Sequence, residues 1–411
     1  MDVHRTTRRT TAGPSRPRGR PAGRGTAALA TALAAVGLAG LVATGAPHAA
    51  PGPDSSALPV APAAGGLATA PLAQPTGRPA AQRPDAPPDV ERVRIFDATP
   101  LTFEETRPER TDGSFVIRWE SQVAARVLDL PDPTPGGERL AIRAVLTVQP
   151  RPGDPADDAG DPLVDPWTRL GTVTVAPVGE GPPMETELVR FTTGYGAGGR
   201  YEADVTALAP LLRGRRLVRV FVATYGDTPG WEATFDLVYE RAATGRRDPL
   251  LAAPVFDDPH VHAARNVLRR TLTVPAGIDV PRLRILTTGH ATDGTGANEF
   301  VSAVHELRVD GRLVARWRPW RENGPELRPL NPWAGSISVG PGRDLRASDL
   351  DRSGWGPGLA VDPMIIPLPE LRPGLADLEL RIIGIRPEDP QTGAHGYFAV
   401  NATLLGDRAW E

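Results

Sequence analysis

The sequence predicts an all-β protein made of two β-sandwich domains, and three observations carry this expectation. Gly (44) and Pro (46) together exceed a fifth of the 411 residues, a share that favours many turns and few long helices. From residue 91 onward, short alternating apolar segments are separated by Pro, Gly and Asp turns. The segments form two sets of about 150 residues each, a size that suits one sandwich apiece.

The first 50 residues carry one apolar run and seven of the arginines. Basic sequence over 4–24 precedes an apolar stretch from Thr26 to Ala46, followed by the small residues Ala49 and Ala50. This order reads as an export signal over 1–50. The protein is therefore expected to be secreted or extracytoplasmic. If the segment stays uncleaved it is long enough to anchor the chain to a membrane. Arg8 and Arg9 would suit a twin-arginine signal, but the apolar residue expected soon after the pair is missing. Residues 51–90, rich in Pro, Ala and Gly, read as a disordered linker, because such a segment buries too little surface to offset its ordering entropy.

The first domain is expected over 91–246. Ser114–Trp119, Leu140–Val148, Leu170–Val175, Leu217–Ala223 and Ala233–Tyr239 read as strands. Leu217–Val222 alternates almost perfectly, with Arg219 on the wet face. An Arg- and Pro-rich loop over Ala242–Pro254 marks the boundary, and the second domain is expected over 255–407. Its strands read as Val267–Val274, Leu283–Thr287, Val304–Val309, Leu313–Arg316, Leu378–Ile385 and Tyr397–Leu404, with a tight hairpin at Val309–Arg312.

Composition removes several kinds of chemistry. There is no cysteine, which excludes disulfides, thiolate metal sites, a thiol nucleophile and lipid attachment through Cys. All 46 basic residues are Arg, and the net charge is −3 even with the basic leader included. Nucleic acid is not expected as a partner.

Of seven histidines, the five beyond the leader (His260, His262, His290, His305 and His395) all lie in the second domain. His260 and His262 could face one way on a strand, although a surface loop explains them as well. The richest polar stretch is Thr287–Phe300, a Gly-rich segment after an apolar strand, where a rigid scaffold can hold a site. His290, Glu299 and His305 are expected to converge there on a substrate or, in an alternative reading that adds Asp293, on a metal. A capped hairpin loop is the plainer explanation. Asp351–Gly358 sets Arg352 beside Trp355 in a Gly/Pro loop, and Asp165–Arg169 repeats the theme with Trp167. An aromatic face beside a cation suits a sugar, though each Trp could equally plug its loop.

These residues also carry a resemblance. PWTRLGTVTV (166–175), YEADVTALAPLL (201–212), FDLVYE (235–240), GANEF (296–300), HELRVDG (305–311) and DRSGWGPG (351–358) resemble the peptide-N-glycosidase F family in order and spacing, over roughly 93–405. The resemblance implies two adjacent eight-stranded antiparallel jelly-roll sandwiches with a site in the groove between them. It also implies cleavage of the amide that joins an N-linked glycan to asparagine, with no cofactor. In the family pattern the principal catalytic Asp stands between a Trp and an Arg; here Trp167 and Arg169 match, but the position holds Thr168. An assisting first-domain Glu falls near Ala223. Glu299 matches the second-domain Glu and is the expected catalytic residue; Trp167, Thr168, Arg169, His290, His305, Arg352 and Trp355 are the expected substrate-binding residues.

A hydroxyl does not cycle a proton near neutral pH as a tuned carboxyl does, and a positioned acid/base contributes about 10²–10⁴-fold. The leading expectation is therefore a protein, expected to be monomeric, that binds glycopeptide or glycan without efficient turnover. The alternatives are an active amidase with a relocated carboxylate (Asp165, Asp161 or Asp227), a metal enzyme and a structural surface module. Copper monooxygenases share the two-domain fold but need histidines in the first sandwich, and residues 91–250 contain none.

Overall fold

Each sandwich is assembled from antiparallel strands whose alternate residues point into a core. The structure, a computed structural model, describes residues 90–103, 116–118, 122–134, 140–152, 164–179, 184–224, 228–241, 248–291, 298–338, 342–391 and 396–408. The expected signal, nearly all of the expected linker, Asp161, Asp227, Asp293 and His395 lie outside these residues.

In the first sandwich one sheet has the order β1 (Val90–Leu101), β9 (Trp231–Arg241), β4 (Leu140–Pro150), β7 (Gly199–Asp204). The other runs β2 (Val116–Arg118), β3 (Val123–Leu130), β8 (Gly214–Val222), β5 (Leu170–Pro177), β6 (Thr186–Thr192). In β8 the buried residues are Val218, Val220 and Val222, as its alternation requires. Gly171 on β5 has no Cβ because one would sit 2.0 Å from the Phe191 ring, so the strand pair closes around that aromatic.

The second sandwich pairs a sheet of β10 (Asp248–His262), β19 (Gly396–Arg408), β12 (Arg282–Ala291) and β17 (Met364–Pro367) with one of β11 (Val267–Val274), β18 (Gly374–Ile383), β13 (Val304–Val309) and β14 (Arg312–Trp317). The β13–β14 turn places Asp310 and Gly311 at φ 49° and 79°, the left-handed pair of a tight hairpin. A two-stranded ribbon, β15 (Ser336–Ser338) and β16 (Asp344–Arg346), stands apart from both sheets. The boundary expectation needs correction: Asp248–Pro254 is not loop but the start of β10, paired with β19 from Asp248↔Arg408. Strand β1 likewise begins at Val90, inside the expected linker.

All described residues belong to one compact unit, and the two sandwiches meet along β6. As an edge strand, β6 would expose unpaired backbone groups, but all seven of its residues are buried. The second sandwich supplies the partners. Thr192 N–H donates to Leu359 O at 3.1 Å, and Val361 N–H to Arg190 O at 2.8 Å. Arg284 donates to the carbonyls of Glu187 and Leu188 at 2.8 and 3.3 Å. Arg190 forks onto Glu187 at 2.8 and 2.6 Å, and reaches across to Thr288 Oγ1 at 3.0 Å and Ala399 O at 2.6 Å.

Candidate functional site

The site begins with a loop wound around one carboxylate. Asp165 is fully buried. It accepts the Trp167 N–H at 3.0 Å, and Arg169 Nε and Nη2 at 2.6 and 2.9 Å. The Arg169 backbone is pinned in turn to Thr193, donating to Oγ1 at 2.8 Å and accepting from Thr193 N–H at 2.9 Å. A loop tied this way turns Trp167 outward, 50% exposed, and brings the Thr168 side chain against the Tyr195 phenol.

Tyr195 is the residue the sequence reading missed. It sits between Gly194 and Gly196 just after β6, and its N–H donates to Asn331 Oδ1 of the second sandwich at 3.0 Å. Its hydroxyl receives Arg352 Nη2 at 3.0 Å. Burial raises the phenol above its ordinary pKa; Arg352 pulls it down, the Glu299 carboxylate pushes it up, and the Thr168 side chain lowers it. Tyr195 therefore stays a neutral phenol in the physiological range, able to give and take hydrogen bonds.

Arg352 is 1% exposed. It donates to Leu350 O at 2.9 Å and Ala347 O at 2.8 Å, and lies 4.8 Å from the Trp355 ring centroid and 5.4 Å from that of Phe300. Trp355 is itself buried and fixed by its Nε1–H to Gly289 O at 2.9 Å. The Glu299 carbonyl accepts Ser353 N–H at 2.8 Å, and Gly289 N–H donates to Ser353 O at 2.9 Å. Three segments thus converge: the end of β12, the turn carrying Glu299 and the Arg352–Trp355 loop.

Trp167, Thr168, Arg169, Glu299, Arg352 and Trp355 therefore come together, with Tyr195 at the centre. His290 and His305 do not converge. Thr287 and Thr288 are consecutive on β12 and face opposite ways. His305 Nε2 bonds Thr287 Oγ1 at 3.0 Å and His290 Nε2 bonds Thr288 Oγ1 at 2.8 Å. His305 is packed in the sandwich core between Trp317 and Phe398, while His290 backs Trp355 and Tyr397. Desolvation, the largest cause for each, drives both down to about 3. Both rings are neutral supports. No group of three or more His, Asp or Glu that could hold a metal occurs among the described residues. His260 stacks on Tyr397 at 4.1 Å, and its ring centre is 6.2 Å from that of His262.

Two positions where the resemblance calls for a carboxylate, or for its stand-in, can be placed. Asp165, the described stand-in acid, has its two oxygens engaged by Arg169. Ala223, where the assisting Glu is expected, brings no carboxylate; its N–H donates to Leu170 O at 2.9 Å.

Comparison with known proteins agrees with this architecture. Residues 259–405 match the family model described as Peptide-N-glycosidase F, C terminal. None of the curated proteins searched matches the chain. The fold is similar to that of PNGF-II, at TM-score 0.65 and 20% identity over 79% of this chain and 66% of that one. It is also similar to PNGase F, a glycosylasparaginase from Flavobacterium meningosepticum, at TM-score 0.56 and 20% identity over 78% and 96%. A structure of peptide-N(4)-(N-acetyl-beta-D-glucosaminyl) asparagine amidase gives TM-score 0.56 and 20% identity over 78% and 97%. At these identities the likeness is one of fold, and the chain spans just under two thirds of the PNGF-II structure.

Proposed function

We propose that this peptide-N-glycosidase F-like protein binds N-linked glycopeptide, or the glycan itself, where its two sandwiches meet, and cleaves it poorly or not at all. The observation that carries this reading is the Arg352–Tyr195 hydrogen bond, with the Thr168 side chain beside the phenol. A hydroxyl and a phenol occupy the place where amide cleavage needs a carboxylic acid. Tyr195, raised above its ordinary pKa, holds its proton too tightly to shuttle it near neutral pH. Asp165 is committed to Arg169.

What remains suits recognition. Glu299 and the hydroxyls of Thr168 and Tyr195 offer hydrogen bonds to sugar hydroxyl and N-acetyl groups, and the exposed Trp167 offers a flat apolar face. Arg352 is buried and spends both terminal nitrogens on Leu350, Ala347 and Tyr195, and so sets geometry rather than reaching for ligand. The basic leader and apolar run of the sequence support action outside the cytoplasm. Among the described residues no helix is long and apolar enough to cross a membrane.

Titration calorimetry with an N-glycosylated peptide and its deglycosylated twin tests the reading. Heat of binding for the glycosylated form alone supports it. Absence of binding to either form rejects it.

A further inference from the structure

The turn at Asn331–Ala334 holds an indole in water. Trp333 is 66% exposed, although burying such a ring is worth about 1.5–3 kcal/mol or more for a large apolar side chain. A mobile turn would let it fold back; this one is clamped. Arg346 donates to three of its carbonyls, on either side of Trp333: Asn331 O at 2.9 Å, Pro332 O at 3.1 Å and Ala334 O at 3.2 Å. The buried Asn331 side chain donates to Leu327 O at 2.7 Å and Pro357 O at 2.9 Å while accepting from Tyr195 N–H.

The clamp also fixes where the indole lies. A Cβ on Gly196 would meet Trp333 Cδ1 at 2.6 Å, and Gly196 has φ +62°, so the ring edge rests on backbone that only glycine suits. Gly196 follows Tyr195, and Trp167 precedes Thr168. One exposed indole is thus the neighbour of Thr168 in the chain, and the other packs on the neighbour of Tyr195. Beyond the turn, the Ala347 carbonyl at the foot of the β15–β16 ribbon accepts from Arg352, which ties the same loop to the centre a second time.

We infer that Trp333 is a second sugar-stacking platform, so that the site reads an oligosaccharide rather than one sugar. The inference rests on the glycan-binding reading above. A β-linked N-acetylglucosamine-type pyranose presents a face of axial C–H groups, which packs on the electron-rich face of an indole. An aromatic already locked in its presenting position loses little freedom on binding.

The test is binding of N-acetylglucosamine, chitobiose and chitotetraose to the wild-type protein and to the Trp333→Ala and Trp333→Phe variants, by calorimetry, with thermal melts as a check on folding. Wild type is expected to bind the tetramer more tightly than the monosaccharide. Trp333→Ala is expected to lose about tenfold on the tetramer, the size of one ring-stacking contact, and to leave the monosaccharide unchanged, with Trp333→Phe in between. Equal tetramer affinity for wild type and Trp333→Ala overturns the platform while leaving the glycan reading standing. No binding of any of the three to wild type overturns both.

Discussion

Arg352 of the second sandwich donates to the Tyr195 hydroxyl of the first at 3.0 Å, and from the same nitrogen to the Ala347 carbonyl at 2.8 Å. The bond crosses the junction of the sandwiches at the point where Thr168 and Glu299 also approach. Arg352 keeps its two carbonyl partners if the phenol oxygen is removed, so Tyr195→Phe is expected to fold. It loses one hydrogen bond to a charged group, about 1.5–3 kcal/mol. Urea unfolding should show this loss, and the affinity for an N-glycosylated peptide should fall with it.

Glu187 and Arg190 form a buried ion pair within β6, where that strand faces the second sandwich, at side-chain exposures of 9% and 1%. Removing one partner strands the other's charge, so Arg190→Met is expected to cost about 3–5 kcal/mol. The double variant Glu187→Leu with Arg190→Met removes the stranded carboxylate but leaves the buried Arg284 without the Glu187 charge beside it, and is expected to recover part of that loss. Denaturant midpoints for the wild type, the single variants and the double variant check the cycle.

The pH dependence has a definite sign. His290 and His305 have folded pKa values of about 3 against about 6.5 unfolded. Between those values the unfolded chain binds more protons, so the stability these residues provide is complete above about pH 6.5 and is lost as the pH falls toward 3. Asp257 works the other way. Burial first, and then Glu187, push it up to about 6, so it stabilises the fold as the pH falls through 6; its partial exposure screens that contribution. Two deeply buried rings outweigh one screened carboxylate, and the melting temperature is expected to be lower at pH 5 than at pH 7. The imidazole proton resonances of His290 and His305 are expected not to titrate between pH 5 and 8.

Part of the fold is legible through alternation, as in Leu217–Val222, and part through β-branched and apolar runs bounded by turn residues. Val267–Val274 and Val304–Val309 were read to the residue, and the Asp310-Gly311 turn announced itself through its chemistry. Strand β6 gives no such signal: both of its faces are buried, one by its own sandwich and one by its neighbour, and TELVRFT shows no alternation. Strand β10 was hidden by Pro249, Pro254 and Pro259, which an edge strand with register shifts tolerates.

The site divides along the same line. Motif residues around Thr168, Glu299 and Arg352 were legible as a set, since the resemblance covers them. Tyr195 was not, because only tertiary packing brings a tyrosine in a glycine run against Thr168. The expected meeting of His290 and His305 ignored strand parity: His290 shares its face of β12 with Thr288, while His305 bonds the opposite face through Thr287.

The account turns on the hydroxyl at position 168, and the measurement that addresses it most directly is glycan release from a denatured N-glycoprotein by the wild type and by Thr168→Asp, side by side. The expected result is little or no release by the wild type and a gain in the variant toward the about 10²–10⁴-fold that a placed acid/base supplies, with Ala223→Glu added if the gain is small. Efficient release by the wild type, at a rate that Thr168→Asp does not raise, would contradict the account.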